Sequence, residues 1–480
     1  MLLRILLGLC LLGSTQAIFA VNNLNLPSLG DHSSGIISLE QERTLGQHFL
    51  RSLRAGAPLV DDPILQEYLE LLIYRLASHS QLQDRRLDLV IINNKTLNAF
   101  AAPGGIVGVN LGLFLTGESE AEISAILTHE LAHVSQRHFA RRTEASKKAG
   151  LANIAGLLAG LILIATSAGD AGMAAITTSQ AVTQSEMLRY SRSREAEADR
   201  VGIDTLVEAD LDPRAMAYMF ERLNRSNRIN GIDIPEFLLT HPVTKDRIAD
   251  SYAQTEKLPV KIYPKNLDFH LMRARVQVMT ADSQVKALLR MKDLLNSGDS
   301  TIRTAARYGL ALAQIEAGQL DNSLQNILRL QNEHPNKIAF TLAEAELHIK
   351  AERYDSAIGV LEQALKISPN NYPLGMAYAE TLMNNREASK SVDVLLTLTQ
   401  ARPNDAYVWY LLAEAYGLAR DIVGVHQARA EYFVLVGNFD QAIKQLGFAT
   451  TLVRDNFQEN ARIQHRIEEI AELLSETRKS

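Results

Sequence analysis

His129-Glu130-Leu131-Ala132-His133 sets two imidazoles four residues apart, with a carboxylate beside the first. On a helix, positions i and i+4 leave the same face one turn apart, so both rings can direct a neutral nitrogen at a single ion. Tetrahedral Zn2+ accepts histidine nitrogens at ~2.0–2.1 Å, which this spacing can supply. Glu130 is placed to take a proton from an attacking water rather than to bind the metal. The pattern reads as metal-assisted hydrolysis with one Zn2+ per chain. The competing reading is a surface helix with solvated histidines, and a surrounding helix and a third ligand decide against it.

The helix follows from local signals. Ser119 and Glu122 form an S-x-x-E start ahead of Ile123, Ile126, Leu127, Leu131 and Val134, and neither Pro nor Gly interrupts residues 118–148. Ser191 to Gly202, SRSREAEADRVG, carries the third ligand. Glu195 there completes a His2Glu set and leaves the fourth position for water. Asp199, four residues on, can accept the free ring N–H of His129 and fix its tautomer. Glu197 points away from both by about 160–200°, and His138 lies about 140° around a continuous helix from His133. Neither is expected to be a ligand.

Stepping outward, helical patterns cover Ser38–Arg54 and Asp62–Ser78, and Leu87–Ile92 has the β-branched character of a strand. Asn98 to Phe114 reads as a strand, a Pro-Gly-Gly turn and a second strand through Ile106, Val107, Gly108 and Val109. That second strand is the expected edge for an extended substrate, with an ordinary packed hairpin as the alternative. Residues 149–169 carry no charge until Gly169 and are rich in Gly and Ala. They read as a buried hairpin or membrane-touching lid, with a span as the alternative.

The chain has 480 residues, 46% apolar and 22% charged, enough for at least two domains with proper cores. A net charge of −6 and a pI near 6.1 argue against a nucleic-acid partner. Arg4, the apolar run Ile5–Leu12 and small residues at Ser14, Thr15 and Ala17 read as a signal peptide over residues 1–20, cleaved after Ala17 or Ala20. Cys10, the one cysteine, lies inside it, so the exported chain would have no thiol chemistry; export in a bacterial-style chain points to the periplasm.

HExxH, the later S-R-x-x-E-x-E-A-D, and the upstream N-A-F-A-x-P-G-G together resemble the gluzincin metalloproteases of the CAAX prenyl protease and HtpX kind, over roughly residues 35–255. The resemblance implies Zn2+ on His129, His133 and Glu195, Glu130 as base and Asp199 as support. It also includes the downstream His-Pro found here as His241-Pro242, with Arg247 behind. His241 has three readings: it stabilises the oxyanion, it occupies the open metal position as a brake, or it caps a loop.

Beyond Pro259 and Pro264 the pattern changes. Pro335, Pro369 and Pro403 recur every 34 residues, as do Ala311, Ala345, Ala379 and Ala413. This is the tetratricopeptide period, so the fold is mainly α: a gluzincin-type protease domain with a small β-sheet over residues 21–258, then an α-solenoid of helix pairs over 265–480. Gly437 to Ala442 repeats the pattern half a unit out of phase, as if one helix served two repeats. An export signal, this protease domain and a repeat array together resemble periplasmic quality-control members of the family in Gram-negative bacteria. That likeness implies degradation of unfolded or stalled outer-membrane β-barrel proteins, a chaperone-like role in their assembly, and repeats docked on the substrate or the barrel-assembly machinery. Peripheral membrane contact through 149–169 would fit it. The alternative is a zinc-bound but non-catalytic repeat adaptor.

Overall fold

A computed structural model describes residues 38–145, 160, 191–230 and 235–479. The signal-peptide reading and the reading of 149–169 fall outside them, Gly160 apart. Helix α1 (Leu39–Gly56) opens on a capping box in which Ser38 and Gln41 satisfy each other's backbone N–H. Asp62 caps α2 (Pro63–Ser78), whose first residue is a proline that needs no donor. Three strands follow, β1 (Asp88–Ile92), β2 (Ala99–Ala102) and β3 (Ile106–Asn110). Gly104 and Gly105 turn the chain between β2 and β3 at φ 77° and 82°, a left-handed region that costs other L-residues energy.

The sheet order is β1-β3-β2, with β3 parallel to β1 and antiparallel to β2. The expected substrate edge at Ile106, Val107, Gly108 and Val109 is therefore corrected. β3 is the central strand, and its backbone groups are committed to neighbours on both sides. Among the described residues β2 is the outer strand on the side of the helix that carries His129 and His133. Asn110 N–H pairs with Asn98 C=O, which turns the backbone of Ala99 and Ala101 outward in that register.

After α3 (Gly112–Thr116) comes α4 (Glu120–Ser135), the motif helix, buried from Glu120 through His133. Ser119 accepts the Glu122 N–H as expected, but the Glu122 carboxylate turns to the Glu118 N–H rather than closing the box on Ser119. The helix does not run on to residue 148. Arg137 takes φ 50°, and the chain restarts as α5 (His138–Ala145) at a new angle. Then come α6 (Arg192–Glu208), α7 (Ala215–Asn230), α8 (Glu236–Thr240) and α9 (Lys245–Glu256). α6 lies tight against α4: a Cβ on Gly202 would stand 3.2 Å from the backbone nitrogen of His129.

Twelve helices, α10 (Leu267–Met279) to α21 (Phe457–Lys479), make the solenoid. First helices begin at 338, 372 and 406 and second helices at 354, 388 and 422, the 34-residue period in three dimensions. Turns with positive φ recur in step at Gly318, Glu352, Arg386 and Arg420, and then at Gly437, seventeen residues on. The helix between the last two, Ile422–Leu435, serves two successive pairs, as the half-unit shift implies. The solenoid is not a detached module. One apolar core runs from Leu65 through Phe114 and Phe220 to Tyr308, Phe340 and Leu347. Arg275 joins Asp62 to Glu346, and Arg402 grips Glu70 at 2.5 and 2.7 Å. Among the described residues, no helix is long and apolar enough to cross a membrane.

Candidate active site

The i, i+4 spacing on α4 brings His129 Nε2 and His133 Nε2 within 3.0 Å of each other. The first turn of α6 brings Glu195 against both, Oε2 at 3.6 Å from His129 Nε2 and Oε1 at 3.5 Å from His133 Nε2. His241, just past α8, closes the group, its Nδ1 lying 3.3 Å from His129 Nε2 and 3.1 Å from Glu195 Oε1. A tetrahedral ion with bonds of ~2.0–2.1 Å has ligand–ligand edges of about 3.3–3.4 Å. With Glu195 taken through Oε1, four of these distances, 3.0, 3.3, 3.5 and 3.1 Å, lie around that figure, and one donor atom from each of the four residues lies within 4.8 Å of the others, so two histidines, a carboxylate and a third histidine could hold one metal.

Glu130 stands beside the set and outside it. Its Oε2 accepts the outward Ala101 N–H of β2 at 3.1 Å. Its Oε1 is buried without a hydrogen-bond partner, 3.5 Å from His241 Nε2. Burial raises the Glu130 pKa, the direction a base working near neutrality needs.

Asp199, foreseen as support for His129, lies 2.9 Å from its Nδ1. Its carboxylate faces the ring and not the donor cluster. Burial opposes ionised Asp199, but Arg247 above all holds its carboxyl below the usual range. Arg247 donates to both Asp199 oxygens, reaches Glu195 Oε2 at 2.7 Å and donates to the Pro242 carbonyl at 2.9 Å. It thereby ties α6 to the His-Pro turn. Burial likewise opposes a charge on His129, yet Asp199 and Glu195 outweigh it and hold its pKa near 9 without a metal. His133 goes the other way: burial, then the neighbouring His129, pushes its pKa well down.

Sequence reasoning missed three contributors. Arg247 was noted only as lying behind the His-Pro pair. Glu236, buried at the start of α8, accepts the side-chain amides of Asn94, Asn98 and Asn110 and so pins the His241 turn to the sheet. Phe237 stacks on the His241 ring at 4.8 Å. Nothing short of three-dimensional proximity marks these out. His138, excluded as a ligand, does stay out of the cluster, but the break at Arg137 returns it to His133, Nδ1 to Nδ1 at 2.7 Å.

Residues 63–253 match peptidase family M48, and residues 348–415 match a tetratricopeptide repeat. The β-barrel assembly-enhancing protease of Escherichia coli (strain K12) is 30% identical over 472 residues, covering 98% of this chain and 96% of the relative. A putative β-barrel assembly-enhancing protease of Vibrio cholerae is 34% identical over 472 residues, 97% of this chain and 96% of its own. The mitochondrial metalloendopeptidase OMA1 of Schizosaccharomyces pombe is 29% identical over 181 residues, 38% of this chain and 50% of that one. The chain belongs to peptidase family M48, among its β-barrel assembly-enhancing proteases, with a metalloendopeptidase domain followed by tetratricopeptide repeats.

Proposed function

We propose that the chain is a zinc endopeptidase of the periplasm that degrades misassembled outer-membrane β-barrel proteins and assists their assembly. The names of its bacterial relatives support β-barrel proteins as the substrate class, the export signal read in the sequence supports the compartment, and the His2Glu donor chemistry supports zinc. The observation that carries the peptidase reading is the tetrahedral spacing of the donors with the unpartnered Glu130 Oε1 beside them.

His129, His133 and Glu195 would hold the ion, which when bound supplies Lewis acidity and acidified water. An extended chain would pair with the outer strand β2, displacing the Ala101 N–H from Glu130 Oε2 and so lying directly beside that carboxylate. Glu130 takes the proton of the attacking water and returns it to the leaving amine. With His241 Nδ1 among the donors, that histidine would have to leave the set to admit substrate, which would make it a brake. The solenoid, which leaves a cleft of about 770 Å³ between β1 and the repeats at Tyr372 and Arg402–Tyr410, docks the substrate or the assembly machinery.

The rival, a metal-bound repeat adaptor without catalysis, draws its support from His241 standing among the donors. Digestion of an unfolded barrel protein by wild type, Glu130→Gln and His241→Ala, with zinc content measured in each, separates them. Cutting by wild type or His241→Ala, and a loss of about 10²–10⁴-fold in zinc-loaded Glu130→Gln, is expected. Faster cutting by His241→Ala supports the brake, and slower cutting refutes it. Zinc-loaded protein that never cuts would establish the adaptor.

A further inference from the structure

We infer that His138 and Glu197 form a relay that holds the metal ligand His133 in one tautomer and orientation, as Asp199 does for His129. The inference rests on the metallopeptidase reading above but concerns different residues. His133 Nε2 faces His129 and Glu195, so its other nitrogen, Nδ1, is the outer one. That nitrogen lies 2.7 Å from His138 Nδ1. His138 is completely buried, and its Nε2 stands 2.9 Å from Glu197 Oε2. Arg141 donates to the same Glu197 oxygen at 3.2 Å and, through Nε, to the Gln136 carbonyl at 2.8 Å.

The proton inventory admits one arrangement. A neutral ligand histidine that gives its Nε2 lone pair to a metal carries its proton on Nδ1. His133 Nδ1–H must then donate, and His138 Nδ1 must accept. His138 keeps its own proton on Nε2 and donates it to the Glu197 carboxylate. The direction runs from His133 through His138 to Glu197.

The arrangement also accounts for the spacing on α6. Glu195, Glu197 and Asp199 alternate around the helix. Glu195 faces the ligand cluster, Asp199 backs His129, and Glu197 leaves on the far side to reach His138. One helix thus supplies a ligand and the terminal carboxylate behind each ligand histidine. The left-handed Arg137 is what makes this possible, because a helix continued through residues 136–138 would carry His138 away from His133.

Orienting partners of this type are worth about 10–100-fold in metal affinity. The test measures zinc affinity by chelator competition, and the d–d absorption of the Co2+-substituted protein, for wild type, His138→Ala, His138→Asn and Glu197→Ala. The Asn amide oxygen falls where His138 Nδ1 was, so His138→Asn keeps an acceptor for His133. Expected are a loss of about 10–100-fold with an altered cobalt spectrum in His138→Ala, recovery of most of it in His138→Asn, and a smaller loss in Glu197→Ala. Wild-type affinity and spectrum in His138→Ala, or no recovery by His138→Asn, would overturn the relay. Should His138→Ala fail to fold, the half-exposed Glu197→Ala decides, with unchanged affinity and spectrum counting against. Wild type that binds no zinc would instead defeat the metallopeptidase reading itself.

Discussion

Arg247 clamps Asp199 with two parallel bonds, Nε to Oδ2 and Nη2 to Oδ1, each 2.7 Å long, and both residues are buried. The same guanidinium reaches Glu195, so two buried anions share one cation. Removing it should strand both. Arg247→Leu is expected to cost about 3–5 kcal/mol in metal-free protein, as breaking a buried ion pair does. Saturating zinc should restore part of this, since the ion neutralises Glu195. Thermal melts with and without zinc check it, and an unchanged metal-free Tm would refute it.

Metal uptake should release a proton. Without metal the His129 pKa lies near 9, so at neutral pH its proton competes with the ion for the ring. Apparent zinc affinity should therefore rise with pH, by up to about tenfold per unit until about pH 9. The same shift bears on stability. Because the folded pKa exceeds the unfolded ~6.5, the stabilisation is complete below about pH 6.5 and fades as pH rises through about 9. Calorimetric titration in two buffers of different ionisation enthalpy counts the protons at pH 7.5, and a count of zero rejects the assignment.

Glu236 accepts three asparagine amides, and its neutral analogue keeps only one acceptor oxygen. Glu236→Gln places an NH2 against at least one of those donors and should destabilise the fold by about 1–3 kcal/mol. Because α8 carries His241, hydrogen exchange should quicken in residues 235–242 ahead of the sheet. Uniform protection there would show that the latch does not hold the turn.

Arg275 lies between Asp62, the cap of α2, and Glu346 in the repeats, at 2.7 and 2.9 Å. Arg275→Ala should cost about 3–5 kcal/mol. With one core shared across both regions, they should still unfold in one calorimetric transition in wild type. Two separated transitions in wild type would show that the solenoid folds apart from the protease domain.

The ligand pair, the base and the repeat period were legible because each is set by spacing along a single regular element. His129 and His133 share a helix face whatever surrounds it, and prolines and alanines every 34 residues stack into a solenoid whatever it packs against. Glu195 was legible as a pattern on a second helix, and Asp199 as its neighbour one turn on. The tetratricopeptide helix shared between two repeats showed itself as a half-period shift at Gly437.

His138 shows where that reading ended. Rotation along a continuous helix put it far from His133, and no glycine marks Arg137 as the residue that turns left-handed. The substrate edge failed for a related reason. Strand propensity located Ile106–Val109, but only the parallel crossover of β1 beside β3 makes that strand central and β2 an outer one. Local sequence thus determined which residues could bind a metal and abstract a proton, because helix and strand periodicity are short-range. Packing between distant segments decided which groups stand behind His129 and His133, which strand is central and where His241 sits, because those contacts join residues whose separation in sequence carries no periodic signal.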